Sequence, residues 1–261
     1  MDSLLPYTNT LDSAETERLD ALAADIWRAV VSEHLPKVRH YAHYVASIPA
    51  KRVGGDFQMA ADNWIAVGDV SGKGVPAALL TGMFVAAFKL AVRTANPGKA
   101  LEHALFKELE SANMFTTLAA CELGEDGWLN YLNLGHPPIL VRRLSGQVEQ
   151  LRASAPPIGT FRMHNYPLAS TRLLPGESVC LYTDGIIEAQ HPKAATEAKT
   201  EVEMYGLDRL SELFARHEDP KDAFDAVLQD LESWTLDDDL TLLVFQYAPE
   251  RGWRDSHLDR R

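Results

Sequence analysis

Two aspartates, each directly after a glycine, lie beside short apolar runs in the first third of this 261-residue chain. Asp56 stands in the stretch VGGDF and Asp69 in WIAVGDVSGKG. A strand end, where the backbone turns sharply, can direct a carboxylate oxygen into a cleft. Because Mg²⁺ and Mn²⁺ prefer oxygen ligands, two such ends lying side by side would form a site for a hard divalent cation.

Two simpler interpretations of the same stretch compete with a metal site. GDVSGKG resembles a phosphate-binding P-loop, but that motif requires glycine where Val67 stands and a hydroxyl residue where Gly74 stands, so it is excluded. Gly-Asp pairs are also common in turns without function, because glycine accepts positive φ and aspartate bonds its own backbone. Two such pairs in one apolar-flanked unit weaken the interpretation as a functionless turn.

Two more acidic clusters occur in the same setting later in the chain. Asp184 lies between the apolar run SVCLYT and a glycine, and Asp237, Asp238 and Asp239 directly precede LTLLVF. Each has a simpler explanation, since an Asp-Gly pair between apolar runs is a strong hairpin signal and a triple aspartate is typical of an exposed acidic loop. If these strand ends instead converge with the first two, their carboxylates would repel one another strongly unless cations lie between them.

The composition is that of an ordinary globular chain, with 46% hydrophobic and 24% charged residues. The net charge of −12 argues against a nucleic-acid partner, whose phosphates attract clustered Lys and Arg. The longest uncharged apolar stretch, residues 75–88, is too short to span a membrane, and the N-terminus shows no secretory signal. Cys121 and Cys180 lie in apolar runs, which favours buried thiols in a reducing compartment. We therefore expect a cytoplasmic protein that binds neither nucleic acid nor membrane.

Apolar periodicity and turn residues predict the elements that must position the aspartates. The predicted strands lie at 38–48, 57–59, 64–67, 115–123, 128–134, 139–143, 148–151, 161–166, 170–174, 178–183 and 240–247. The main predicted helices lie at 76–94, 99–111, 206–216 and 220–234. Many antiparallel strands with two helix pairs indicate an α+β fold, in which two packed and mainly antiparallel sheets are flanked by helices.

A further helix is predicted at residues 12–33. One apolar stripe follows an a/d-like spacing for under two heptads, which favours a packed amphipathic helix over a free coiled coil: Leu19, Leu22, Ile26 and Ala29. A second stripe holds Trp27, Val30 and Val31. Because a helix with two apolar stripes can pack on its own domain and also contact a second copy, we expect a homodimer through this helix.

A series of motifs in fixed order carries a resemblance to a known family: VGGDF, GDVSGKGVPAALL, NLGHPP, APPIG, LYTDGIIEA, YGLDRL and DDLTLLV. In this order they resemble the SpoIIE/RsbU-type branch of the metal-dependent (PPM, type 2C-like) serine/threonine phosphatases, over about residues 35–247. The resemblance implies an αββα sandwich with a two-metal site, usually for manganese or magnesium. It also implies hydrolysis of phosphoserine or phosphothreonine on proteins, which for bacterial members are often STAS-domain anti-anti-sigma factors.

The same resemblance implies a set of metal ligands. Asp69 would bridge the two metals, Asp56 would hold the second partly through water, and the backbone carbonyl of Val70 would add a ligand. Asp184 and Asp238 would hold the first metal. The family pattern D-[DN]-x-T fits residues 238–241, which selects Asp238 over its neighbours; Asp239 would orient Asp238, and Asp237 would be a solvated turn residue.

The chemistry expected of such a site needs no side-chain nucleophile. A water shared by two divalent cations loses a proton near neutral pH, and the resulting bridging hydroxide attacks phosphorus in line while the cations neutralise the phosphoryl oxygens. His136 in GHPP is a candidate general acid or a turn histidine with a structural hydrogen bond. Lys73 is a candidate phosphate contact or a solvent-exposed residue at the start of a helix. The sequence marks no arginine as a phosphate clamp.

The expected organisation has three parts: an N-terminal extension at 1–34 with the linker or regulatory helix, a PPM-type phosphatase domain at 35–248, and a charged tail at 249–261. The expected function is metal-dependent hydrolysis of a phosphorylated, STAS-type protein. The alternative is a phosphatase-like binding or regulatory module with little turnover, and the complete set of carboxylates favours the enzyme.

Overall fold

The computed structural model describes residues 38–50, 54–191 and 203–249, together with residues 18, 22, 25, 31 and 35. Its strands are β1 (Tyr41–Ile48), β2 (Asp56–Ala61), β3 (Trp64–Val70), β4 (Thr116–Leu123), β5 (Trp128–Leu134), β6 (Ile139–Arg142), β7 (Val148–Leu151), β8 (Ala169–Arg172), β9 (Ser178–Tyr182) and β10 (Leu240–Tyr247). Its helices are α1 (Val75–Ala91), α2 (Pro97–Ala112), α3 (Asp184–Ile187), α4 (Gly206–Arg216) and α5 (Pro220–Leu231).

The described strands form two five-stranded sheets in which neighbouring strands run antiparallel. One sheet has the order β1-β10-β9-β6-β7 and the other β2-β3-β4-β5-β8. Three hydrophobic clusters fill the spaces between layers: one joins α1 and α2 to the second sheet, one lies between the sheets, and one joins α4 and α5 to the first sheet. The predicted αββα sandwich is therefore confirmed.

Strand β10 shows why the central strands read as continuous apolar runs. Every position of LTLLVFQY is buried. Leu243 and Phe245 belong to the cluster between the sheets, whereas Leu242 and Val244 belong to the cluster under α4 and α5. Because a strand covered on both faces has no solvent side, its sequence does not alternate between apolar and polar residues.

The segment predicted as a strand at 161–166 is irregular, so that prediction was wrong. The buried carboxylate of Glu102 on α2 accepts hydrogen bonds from the backbone N–H of Met163 at 2.6 Å and from the hydroxyl of Tyr166 at 2.9 Å. The ammonium of Lys99 bonds both Glu102 and the carbonyl of Met163. These bonds hold the segment against a helix, where its backbone cannot pair with a strand.

Both cysteines are free and buried, Cys121 in β4 and Cys180 in β9, as the sequence predicts. Among the described residues, no helix is long and apolar enough to cross a membrane.

The predicted N-terminal helix and charged tail lie almost wholly outside the described residues, so the domain boundaries at 34 and 248 stay predictions. Residues 18, 22 and 25 are helical, and the side chain of Leu22 is 57% exposed. Val31 is buried in the cluster that contains α1.

Replacing Glu102 with Gln should lower the free energy of unfolding by about 2 kcal/mol at pH 7, because the amide loses an acceptor and turns an NH2 group toward the Lys99 ammonium. Burial raises the pKa of Glu102, but the hydrogen bonds from Lys99, Met163 and Tyr166 outweigh burial and lower it. A lowered pKa stabilises the fold above the ordinary pKa of glutamate, and this contribution is lost as the pH falls. Urea unfolding at pH 7 and pH 4 measures both effects.

Glu108→Gln is the matched control for this measurement, because Glu108 lies exposed on the same helix. Equal stability losses in the two variants at pH 7 would show that the Glu102 hydrogen bonds contribute nothing specific.

Candidate metal centre

The hairpin of β2 and β3 places two of the predicted ligands opposite each other. Asp56, the first residue of β2, pairs in register with Asp69 near the end of β3. Directly opposed residues of an antiparallel pair have Cβ atoms about 5 Å apart. Asp56 is buried and Asp69 is half-buried, so the hairpin brings two carboxylates together in a poorly solvated place.

The glycines beside these aspartates are required by close approach rather than by turn geometry. A Cβ at Gly55 would lie 2.3 Å from the carbonyl oxygen of Val70 and 2.5 Å from Asp69 Oδ1, and a Cβ at Gly54 would lie 2.1 Å from Asp239 Oδ2. Neither glycine has a positive φ. These glycines therefore make room for neighbouring oxygen atoms and are not required for a left-handed turn.

Thr183, the residue after β9, holds Asp56 in place from the opposite sheet. Its hydroxyl donates to Asp56 Oδ2 at 2.6 Å and accepts from the backbone N–H of Thr241 at 2.8 Å. Its own N–H donates to the carbonyl of Thr241 at 3.0 Å. A buried hydrogen-bond chain thus joins the two sheets beside the carboxylates.

Asp184 begins the single-turn helix α3, so the hairpin alternative for its Asp-Gly pair is wrong. A Cβ at Gly185 would lie 1.9 Å from the carbonyl oxygen of Asp239, which explains why glycine follows Asp184. The end of β9 and the start of β10 therefore meet, and the hydrogen bonds Thr183–Asp56 and Gly55–Asp239 place them beside the start of β2.

The three consecutive aspartates have three different environments. Asp237 is exposed, Asp238 is half-buried and Asp239 is 8% exposed. The carboxylate of Asp239 accepts 2.8 Å hydrogen bonds from the N–H groups of Ala50 and Gly55. Asp238 Oδ1 accepts from the N–H of Asp239 at 3.0 Å and lies 3.0 Å from Lys73 Nζ. The carboxylate of Asp239 is thus used to hold the backbone at Ala50 and Gly55, whereas the carboxylate of Asp238 remains accessible to a cation.

The pKa values show that these carboxylates act on one another. Burial and the charge of Asp69 raise the pKa of Asp56 well above its ordinary value. Burial, followed by repulsion from Asp184 and Asp238, raises the pKa of Asp69 to about 7. Burial and repulsion from Asp238 also raise the pKa of Asp184. Without compensating positive charge, the cluster would retain protons near neutral pH.

Hard divalent cations fit this donor set, since every candidate ligand is an oxygen and the carbonyl of Val70 is left uncovered by Gly55. In residues 38–50, 54–191 and 203–249, however, no three His, Cys, Asp or Glu side chains are placed to hold one ion. Asp56 and Asp69 form one facing pair on β2 and β3. Magnesium-type ions are commonly held by one or two carboxylates with several waters, so paired carboxylates can hold them.

His136 lies between the two sheets with both ring nitrogens bonded. Nε2 is 3.0 Å from the carbonyl oxygen of Tyr182, which can only accept, so Nε2 carries the proton. Nδ1 then accepts from the hydroxyl of Thr117 at 2.9 Å. Burial lowers the pKa of His136 to about 4 against the opposing effect of the Tyr182 carbonyl. A buried neutral ring with both nitrogens engaged has the geometry of the structural alternative rather than that of a general acid.

Two residues at the site were missed by the sequence reasoning. Thr183 bonds Asp56, but a threonine before an aspartate carries no signal by itself. Glu188 follows Asp184 by one helical turn, and burial and the charges of Asp184 and Asp238 raise its pKa. Its spacing of four residues from Asp184 would have indicated this once a helix was assumed there.

Comparison with known proteins decides the family. The profile described as "Stage II sporulation protein E (SpoIIE)" matches residues 61–248. The chain belongs to the SpoIIE family. The resemblance to the SpoIIE/RsbU-type branch of PPM phosphatases is confirmed, although Asp56 lies just before the matched range.

Two curated relatives of this SpoIIE-family chain are similar over most of its length. It is 25% identical over 240 residues to the phosphoserine phosphatase RsbU of Bacillus subtilis (strain 168), covering 86% of this chain and 69% of RsbU. It is 26% identical over 234 residues to Protein IcfG of Synechocystis sp., covering 76% of this chain but 36% of that protein.

Solved structures agree on the fold. The SiaA-PP2C domain of Pseudomonas aeruginosa has a TM-score of 0.70 at 22% identity, covering 91% of this chain and all of that domain. The catalytic domain of the serine threonine protein phosphatase PstP, in complex with two manganese ions, has a TM-score of 0.58 at 13% identity, covering 80% of this chain and 98% of that one.

Binding of Mn²⁺ should release protons near pH 7, because a cation binds the ionised carboxylate and the pKa of Asp69 is about 7 without metal. We expect the apparent Mn²⁺ affinity to fall as the pH is lowered from 8 to 6, by up to about tenfold per pH unit for each proton displaced. Calorimetry in two buffers of different ionisation enthalpy counts the protons. Asp237→Asn should release the same number as the unchanged protein, and a pH-independent affinity would contradict the carboxylate coupling.

Proposed function

We propose that this chain is a phosphoprotein phosphatase that removes phosphate from phosphoserine or phosphothreonine with two divalent cations, Mn²⁺ or Mg²⁺. The observation that carries the proposal is the meeting of Asp56, Asp69, Asp184 and Asp238 from both sheets at one edge, with three of their pKa values raised. RsbU is itself a phosphoserine phosphatase, and the PstP structure holds two manganese ions.

We assign the ligands as the motifs imply. Asp69 would contact both cations, Asp56 and the carbonyl of Val70 would hold one of them, and Asp184 and Asp238 would hold the other. When bound, the cations supply an activated water and neutralise charge on the phosphoryl oxygens.

The other residues of the site hold these ligands in place. The hydroxyl of Thr183 fixes one oxygen of Asp56 from the opposite sheet. Asp239 ties the β1–β2 connection to the start of β10 through its two backbone hydrogen bonds. His136 joins β4 to the last residue of β9 and thereby fixes the spacing of the sheets next to the cluster.

The substrate we propose is a phosphorylated protein of the STAS-domain type, acting as an anti-anti-sigma-like regulator. The similarity to RsbU supports a phosphoserine substrate, and the family resemblance supplies the STAS type.

A second candidate is a phosphatase-like binding module without useful turnover. It is favoured by the finding that no three acidic, His or Cys side chains in the described ranges are placed to hold one ion. Capture of a partner equally well with and without metal, together with no phosphate release, would select this candidate.

Phosphate release should depend on added Mn²⁺ or Mg²⁺ and should fall by several orders of magnitude in Asp184→Asn, since the amide weakens cation binding and the acidity of the activated water together. The measurement uses an aryl phosphate and a phosphoserine protein, with metal binding checked separately by calorimetry. Asp237→Asn is the control, because its exposed side chain lies outside the proposed ligand set. Near-full rates in Asp184→Asn would reject the assignment of that residue.

We also propose a homodimer through the N-terminal helix, supported by the exposed Leu22 in helical conformation. Leu22→Glu should reduce the mass measured by light scattering to that of one chain, because a charge on the stripe prevents its burial against a second copy. A chain beginning at Leu35 should behave in the same way, but it also loses Val31 from the core. An unchanged mass for Leu22→Glu would remove this proposal.

A further inference from the structure

Lys73 places a positive charge directly on one of the proposed metal ligands. Its Nζ lies 3.0 Å from Asp238 Oδ1 and 3.5 Å from the carbonyl oxygen of Asp237. In the described part of the chain, no other recorded ion pair involves Asp56, Asp69, Asp184 or Asp238.

The charge of Lys73 acts on the whole cluster. It lowers the pKa values of Asp69 and Asp184 against the stronger effects of burial and repulsion. In return, the hydrogen bond to Asp238 raises the pKa of Lys73, with smaller contributions from Asp239 and Asp69. The ammonium is therefore the counter-charge that partly offsets repulsion among the carboxylates.

The ion pair between Lys73 and Asp238 is weak enough for a divalent cation to replace the lysine. The side chains of Lys73 and Asp238 are 47% and 49% exposed, and a pair this exposed contributes little to stability because water screens it. A divalent cation carries twice the charge of the ammonium, so the carboxylate attracts it more strongly at the same distance. Lys73 also lies between Gly72 (φ 98°) and Gly74 (φ 79°), and no atom lies within 4 Å of a Cβ added at Gly74. Open space beside Gly74 therefore leaves room for the Lys73 side chain to turn away from Asp238.

We propose that Lys73 is an internal counter-ion for Asp238 that leaves the carboxylate when a divalent cation binds there, and that the released ammonium then binds the phosphoryl oxygens of the substrate. This inference rests on the proposed phosphatase function and adds an order of events to it. Cation binding frees the lysine that binds phosphate, so the two ligands bind cooperatively. It also gives a reason why three acidic side chains do not enclose an ion in the described arrangement: Asp238 is engaged by Lys73.

The first test follows the side-chain ¹³Cε signal of Lys73 in the full chain labelled at lysine, with the signal identified by its absence in Lys73→Met. Saturation with Mg²⁺, established by calorimetry, should shift this signal, and Asp238→Asn should produce a similar shift without metal. Inorganic phosphate should shift the signal again in the Mg²⁺-loaded protein and leave it unchanged in the metal-free protein. A signal that does not move on Mg²⁺ saturation overturns the inference.

The second test measures inorganic phosphate binding to the Mg²⁺-loaded protein by calorimetry. Lys73→Met should weaken phosphate binding roughly tenfold, which corresponds to one charge-assisted hydrogen bond, and should raise Mg²⁺ affinity because a competitor is removed. Lys89→Met is the matched control, since Lys89 is exposed on the last turn of α1, roughly 20 Å from its start, and should change neither affinity. Unchanged phosphate affinity in Lys73→Met overturns the phosphate-binding half.

Neither measurement requires turnover, so the two proposals can fail separately. A Lys73 signal that responds to Mg²⁺ and phosphate in a protein without hydrolytic activity would support the counter-ion and overturn the phosphatase. Metal-dependent hydrolysis with an unresponsive Lys73 signal would support the phosphatase and overturn the counter-ion.

Discussion

Repulsion between carboxylates in a poorly solvated place is the constraint on which this structure depends. Asp56 and Asp69 face each other across a strand pair. Burial and repulsion from neighbouring carboxylates raise the pKa values of both, so the ionised forms are disfavoured without positive charge nearby. The protein keeps them together by directing hydrogen-bond donors at the cluster, from Thr183 to Asp56 and from backbone N–H groups to Asp239. Because the fold holds these carboxylates close together, it favours the binding of cations between them.

The site exists only where the two sheets meet. Asp56 and Asp69 come from one sheet, whereas Asp184 and Asp238 flank β9 and β10 of the other. The hydroxyl of Thr183 crosses between them, and His136 makes a second crossing a short distance away. Cation binding should therefore favour the packed sandwich over any state in which the sheets separate, because the ligand set is complete only in the packed state.

Much of the fold could be predicted from the sequence because the strands are covered on both faces. The continuous apolar run of β10 and the turn residues around Asp62 indicate strands without reference to distant partners. The segment at 161–166 could not be assigned in this way, because its conformation depends on Glu102. That residue is far away in sequence, so no local sequence pattern indicates the contact. Its carboxylate overrides the strand preference by bonding Met163 and Tyr166.

The residues of the candidate site could be named from the sequence, but their burial and contacts could not. The motifs point to Asp56, Asp69 and Asp184, and the structure brings them to one edge. The glycines suggested turns, whereas Gly55 and Gly185 are there because neighbouring oxygens leave no space for a Cβ. Buried Asp239 and accessible Asp238 could not be told apart by physical argument from the sequence, because their difference depends on contacts with the β1–β2 connection and with Lys73.

Anomalous diffraction from crystals grown with Mn²⁺ tests the central claim most directly. Two manganese peaks are expected at the edge where β2, β3, β9 and β10 meet, each within coordination distance of carboxylate oxygens, with Asp69 contacting both. Asp238 should contact one ion, and its pair with Lys73 should be broken. Manganese peaks confined to other surfaces, or a fully occupied crystal in which these carboxylates contact no ion, would contradict it.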